Sequence, residues 1–357
     1  MKAENANWPG AAALLAISLS AGGCTPVLRP VFEEPPSAVV WPPAPTPPRI
    51  RYAGQLASAA DLKPPPKPFQ ALTDLLVGAR PAQPMYGPRS VVRTPDGRRL
   101  WVADPGGRCL HRLDLEDRSY VKVDRAGKAL LLTPVDVCLG PEGSIFVCDS
   151  QGAAIYRLDG GSGALLATLR LPEDIQRPVA LHYRHDRGEL YVVDAAAHNI
   201  KVLGSDGRLL RILGKRGDGP GELNFPCAIT GDAERIWVAD SGNHRVQALT
   251  PTGEPIAQFG RAGDAPGDLA LPKGVACDAQ GHVYVVDARF ENVQVFDRQG
   301  RLLLAFGHEG TGPGEFWLPS GIFIDAGNRI WVCDSYNGRV QVFDYVGGAE
   351  VTMEERP

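Results

Sequence analysis

Apolar and polar residues alternate along most of the chain in short runs, the period of a strand with one face buried. The runs come in a fixed order. A strand opened by proline, as in PKGVACD (272–278) and PSGIFID (319–325), leads through a turn such as DAQG (278–281) or DAGN (325–328) into an apolar strand ending in aspartate. That second strand reads LWVAD at Asp104, IFVCD at Asp149, LYVVD at Asp194, IWVAD at Asp240, VYVVD at Asp287 and IWVCD at Asp334, at intervals of 45 to 47 residues. A loop and a third strand follow, HRVQAL (244–249), NVQVF (292–296) and RVQVF (339–343). A glycine-containing turn then opens a fourth, GRLLRILG (207–214), GEPIAQFG (253–260) and GRLLLAFG (300–307). Four antiparallel strands recurring six times predict an all-β chain folded as a six-bladed β-propeller of four-stranded blades.

The sixth blade runs out of sequence, because three strands bring it to Tyr345. RIRYAGQL (49–56) alternates Ile50, Tyr52 and Gly54 and is expected to supply the missing strand, since an open ring would leave unpaired sheet edges. The rival, GAEVTM (348–353), is more charged and less β-prone. FQALTDLLVG (69–78) has helical spacing ending on Gly78 and predicts one short helix capping a face. The propeller therefore spans 49–345, and 346–357 is a C-terminal tail.

Composition fits this picture. The chain is 44% apolar, enough for a sizeable core, and its 41 glycines and 32 prolines favour turns over long helices. A formal charge of −4 argues against a chain built to grip nucleic acid. Near the start, AAALLAISLSA (11–21) is too short to span a bilayer, which takes about 20 apolar residues. With AGGC ending at Cys24 it reads as a secretory signal over 1–23. It resembles a bacterial lipoprotein signal, in which the cysteine becomes the lipid-carrying first residue; an ordinary cleaved signal is the alternative. The resemblance implies lipidation at Cys24, a membrane link through that lipid and, because Thr25 is not an acidic retention mark, an outer-membrane lipoprotein facing the periplasm. Residues 24–48 are proline-rich and read as an extended tether reaching up to about 75 Å. The other cysteines, Cys109, Cys138, Cys148, Cys227, Cys277 and Cys333, form no CxxC pair. Buried free thiols are expected, with Cys138 and Cys148 the one pair to test for a disulfide.

The linkers GKRGDGPGELNFP (214–226), GRAGDAPGDLALP (260–272) and GHEGTGPGEFWLP (307–319) share a G-x-x-G-x-x-P-G pattern. On these residues the chain from about Pro84 to Tyr345 resembles NHL-repeat propellers. The first two blades depart from it, with AGKALLLTP (126–134) and LPEDIQRP (171–178) in place of the linker. The resemblance implies an interaction platform and specifies architecture better than chemistry.

In a repeat protein, whatever recurs in every blade is most simply architecture, so the six strand-end aspartates and the linker acids Glu222, Asp268 and Glu315 read as loop-holding groups. Function is sought in the deviations. The loops after each aspartate share a face with the linkers and gather Arg216, His244, Arg289, Phe290 and Tyr336, aromatic and cationic residues suited to a partner-binding rim. His198, Arg245, Lys215, Arg261 and His308 join them on that face. On the innermost strands, positions two and four past each opening proline are mostly small, and Asp136 and His182 break the pattern as channel candidates for a polar ligand or metal.

These features favour a non-catalytic binding or scaffold propeller at the cell envelope, with a protein or glycan partner, no nucleic acid and no cofactor. The alternative is a six-bladed propeller enzyme using its channel, either a lyase with zinc on histidines or a lactonase with calcium on acidic and amide oxygens. No catalytic residue is assigned: the histidines scatter, only Asp136 is an inward acid, and no nucleophile elbow, phosphate loop or HExxH occurs.

Overall fold

Valine, isoleucine and aromatic residues at alternate positions suit strands whose faces are buried, and the repeated runs form such strands. The computed structural model describes residues 30–32, 37–64, 83–169, 171–172 and 175–347. Six antiparallel sheets stand around an axis. In blade five, Pro272–Cys277 is innermost, followed outward by Val283–Asp287, Asn292–Phe296 and Leu302–Phe306. Each innermost strand packs on that of the next blade, and Ile322–Ile324 of blade six packs on Ser90–Arg93 of blade one. The ring is closed.

The cores lie between blades. One residue of each aspartate strand is a large ring, Trp101, Phe146, Tyr191, Trp237, Tyr284 and Trp331, and all six are buried. Such rings remove the most apolar surface per residue, so each blade brings its own wedge for the seam. Blade three to four is typical, with Val179, Tyr191, Val193, Ile229 and Val238 in one cluster. The entry to blade two, which lacks the glycine-proline linker, uses a small hairpin instead, Arg125–Ala126 with Ala129–Leu130, that buries Ala126 and Leu131.

Ile50–Leu56 closes blade six, as its alternation predicts, with Ile50 opposite Tyr345 and Leu56 opposite Val340. The sheet does not stop there. Val40–Trp41 adds a fifth strand, Val40 facing Arg51, so the proline-rich stretch is not a free tether as far as residue 48. The Trp41 ring sits 5.8 Å from Phe306 and 5.9 Å from Phe343. Further upstream Phe32 meets Trp331 edge-on at 5.8 Å and lies under the Arg329 guanidinium at 5.6 Å. Both rings need glycine beneath them: a Cβ on Gly314 (φ +76°) would stand 2.3 Å from Trp41, and one on Gly54 (φ +150°) 2.8 Å from Phe32. The prolines between Trp41 and Ile50 lie in the turn that folds the segment back on the closing strand, and its apolar residues dock it.

All six cysteines of the propeller are free thiols. Cys138 faces Phe146 across its hairpin while Cys148 faces Asp136, so these two do not pair. The signal, Cys24, the expected helix at 69–78 and the tail from 348 lie outside the described residues.

Candidate functional site

A carboxylate removed from water must find donors, and the six strand-end aspartates, none with exposed surface, find them in the loops of one face. Asp287 accepts from the Ala270 and Leu271 N–H groups of the arriving linker at 2.7 and 3.1 Å and from Arg289 and Phe290 N–H of the following turn at 2.9 and 3.1 Å. Asp240 and Asp334 add side-chain donors, Arg245 Nε at 2.9 Å with Gln247 Nε2 at 3.2 Å, and Arg339 Nε at 2.7 Å with Gln341 Nε2 at 3.0 Å. These acids are architecture, and they fix the face on which linkers and loops meet. Asp104 fits the same scheme although Cys109 and His111 gather beside it. His111 Nε2 contacts Asp104 at 2.9 Å from the place where Gln247 and Gln341 cap their own aspartates, and its Nδ1 is taken by the Tyr120 hydroxyl at 2.8 Å.

Within that face a funnel of about 1220 Å³ opens above a narrower channel of about 260 Å³. Six residues line both, Arg89, Val135, Val179, Cys227, Lys273 and Ser320, each directly after the opening proline of its blade. They form the throat. In blades two to five this residue is the extra one of a β-bulge: Pro272 pairs with Asp287 and Gly274 with Val286, which leaves Lys273 unpaired. A bulge re-aims its side chain, and here it aims it at the axis.

Three exposed aromatics line the funnel, Tyr86, Phe225 and Tyr336. Arg177 lies over the Phe225 ring at 5.9 Å, and Trp317 stands 5.6 Å from Tyr336. Of the five rim residues expected from sequence, the funnel brings together two, His244 and Tyr336. His244 is also a clasp, its Nδ1 donating to the Ala270 carbonyl of the next linker at 2.8 Å. His198 and Glu291 hold Phe225 N–H and Leu318 N–H in the same way, at 3.1 and 2.6 Å. Arg216 and Arg289 are exposed and Phe290 is half-buried, all outside the funnel lining. Sequence reasoning missed Tyr86, Phe225 and the throat pair Arg89 and Lys273. The available signal was a large or charged residue within two positions of each opening proline.

Asp136 and His182 do line the channel below the throat. Asp136 Oδ2 accepts the Leu181 N–H at 2.6 Å. Burial pushes its carboxyl up to about 6 against the pull of Ser90, that N–H and Arg89. Burial pushes the His182 imidazole down to about 4, with Arg184 and His185 adding to the shift. The two oppose each other in pH. His182 takes its proton more readily unfolded, so its contribution to stability is lost as pH falls from 6.5 to about 4. Asp136 is the reverse: its contribution is present below the ordinary 3.8 and lost as pH rises to about 6. Asp136→Asn is therefore expected to make stability climb more steeply with pH over this window than in the unaltered protein, and His182→Gln to make it climb less. Urea unfolding at pH 4.5, 5.5 and 6.5 checks this, and parallel profiles for all three proteins contradict it.

Comparison with known proteins gives the following. Residues 87–309 match the family described as SMP-30/Gluconolactonase/LRE-like region, and residues 274–354 match one described as a 6-bladed beta-propeller. No curated protein matches the chain. Among solved structures, a catalytically inactive virginiamycin B lyase from Staphylococcus aureus with quinupristin aligns at 14% identity and a TM-score of 0.54, covering 73% of this chain and 95% of that one. An auxiliary nutrient binding protein from Bacteroides thetaiotaomicron aligns at 14% identity and 0.58, covering 74% and 70%. A second, from Bacteroides ovatus, aligns at 14% and 0.57, covering 72% and 69%. At these identities the likeness is one of fold.

Proposed function

This chain belongs to the SMP-30/gluconolactonase/LRE-like family, and on that premise we propose that it is a binding propeller without catalytic chemistry of its own, which takes its partner through the funnel. One observation carries the reading: a wide preformed funnel is walled by exposed aromatics on rigidly pinned loops, the setting in which binding sites are usually found. The NHL-like linkers support the same reading, since they build the funnel face. The lipoprotein-like signal supports a place at the cell envelope, facing the periplasm, through a lipid on Cys24.

The channel donors argue against the enzymatic alternative. A calcium-dependent lactonase needs several oxygen ligands converging on one point, and a zinc lyase needs several histidines. The described channel lining offers one acid, Asp136, with an oxygen already taken by a backbone N–H, two histidines on one strand and its turn, His182 and His185, and three thiols, Cys138, Cys227 and Cys277, and no three of these bring their ligand atoms together. Neither metal fits this donor set, and no step is routed through one. Solved relatives of this fold include both a lyase and nutrient-binding proteins, so the distinction rests on these residues.

A photo-crosslinking amino acid at position 336 or 225 is expected to give a discrete adduct in the native envelope. The same group at 299, in an exposed turn at the opposite end of blade five, is expected to give none. Equal adducts from all three positions, or stoichiometric calcium or zinc retained by protein purified without chelator, would overturn the reading.

A further inference from the structure

We infer that the funnel takes an organic anion carried on an apolar, ring-bearing body, with the anionic group seated at the throat between Arg89 and Lys273. The inference rests on the binding role proposed above and adds the chemical class of the ligand.

The whole chain carries −4, yet the described residues lining the funnel include Arg89, Arg177, Lys273 and His244 and neither aspartate nor glutamate. Chance placement in an acidic chain would mix the signs. Arg89 and Lys273 are half-buried, and among the described residues neither side chain has a hydrogen bond or ion pair. Most other half-buried arginines are paired, as Arg93 is with Asp325 at 2.7 Å and Arg211 with Glu189 at 2.6 Å, and Arg235, which is not, lies over the Trp237 ring at 5.8 Å. Two cations left unneutralised at the narrowest point of a concavity are placed to take charge from a ligand.

Geometry places the pair. Arg89 opens blade one and Lys273 blade five, so they flank Ser320 of blade six on the throat ring. Both also line the mouth of the channel below, together with Cys227 of blade four. They therefore look over the same opening. The acid below, Asp136, already accepts the Leu181 N–H. Above the throat, Tyr86 and Tyr336 are 66% exposed and Phe225 46%. With Leu271, Leu318 and Pro319 they make an apolar wall for the body of such a molecule, and the cations below them supply directed charge for its head.

Two dyes with the same rings test this on the full chain: 8-anilinonaphthalene-1-sulfonate, which is anionic, and N-phenyl-1-naphthylamine, which is neutral. Fluorescence titration is expected to show saturable binding of both, with the sulfonate about tenfold tighter. Lys273→Gln and Arg89→Gln, singly and together, are expected to erase that preference and leave the neutral dye unchanged, whereas Tyr336→Ala weakens both. Keeping Lys273→Gln as a separate variant guards against misfolding of the double one. Equal affinity for the two dyes, or a preference that survives both substitutions, overturns the anion inference while binding in the funnel stands. Absence of saturable binding of either dye overturns both together.

Discussion

A chain beginning at Ala57 is expected not to fold cooperatively. It lacks Ile50–Leu56, the outer strand of blade six, whose Ile50 and Leu56 have no exposed surface and whose Tyr52 and Ala53 are nearly buried. Burying each large apolar side chain contributes about 1.5–3 kcal/mol, so three of them already approach the about 5–15 kcal/mol that holds a domain together. The loss also bares the edge of Arg339–Tyr345, an invitation to pair with another chain. Size-exclusion chromatography and urea unfolding check the outcome, with aggregation and a broad transition expected. A chain beginning at Ser37 keeps both strands and, among the described residues, loses only the packing of Val31 and Phe32 and the bond from Lys63 to the Pro30 carbonyl, so it is expected to remain monomeric and cooperative. Equal behaviour of the two chains would refute the closure argument.

The second large effect concerns one acid. Asp240→Ala is expected to lower stability by about 3–5 kcal/mol, because it removes the carboxylate that balances the buried Arg245 charge and leaves Arg245 Nε and the Asn224 N–H without their acceptor, while the guanidinium keeps its bonds to the Asp218, Gly219 and Glu222 carbonyls. Asp149→Ala removes an acid of the same burial that, among the described residues, accepts only backbone N–H groups, from Leu132, Thr133 and Gly152. Its loss is expected to be smaller, since no buried cation is left behind. Adding Arg245→Leu to Asp240→Ala should recover part of the deficit, the coupling a double-mutant cycle measures. Urea midpoints of the four variants decide it, and identical losses for the two single aspartate variants would show that the cation is immaterial.

The architecture was legible because a strand reports its environment residue by residue: alternation marks the buried face, and a strand-end aspartate marks each blade. Closure by 49–56 was legible for the same reason. The site was not, and the causes are local. Counting two and four past each proline assumes an unbroken ladder, but the bulges at Pro134, Pro178, Pro226 and Pro272 insert one residue. The residue at the throat is thus the one that the count skipped, and Lys273 was passed over for Gly274. Asp136 and His182 were found because they sit deeper, beyond the irregularity. On the rim, loop position alone cannot separate side chains that turn inward, such as Tyr336, from those turned out, such as Arg216 and Arg289. His244 looked like a contact residue, and its ring also holds the neighbouring linker. The strand at Val40–Trp41 was hidden by its prolines, since composition reports stiffness and says nothing about where a stiff segment comes to rest.

Phe32 and Trp41 are seated on blade six, and only eight residues of sequence separate Cys24 from Phe32. Eight residues at no more than about 3.6 Å each give a leash under about 30 Å, well short of the reach of the full proline-rich stretch. A body moored at Cys24 would ride close against its anchorage and hang from one flank. Under the lipid anchorage proposed at Cys24 it would sway about blade six without roaming, and whatever enters its mouth would have to come to the surface where it is berthed.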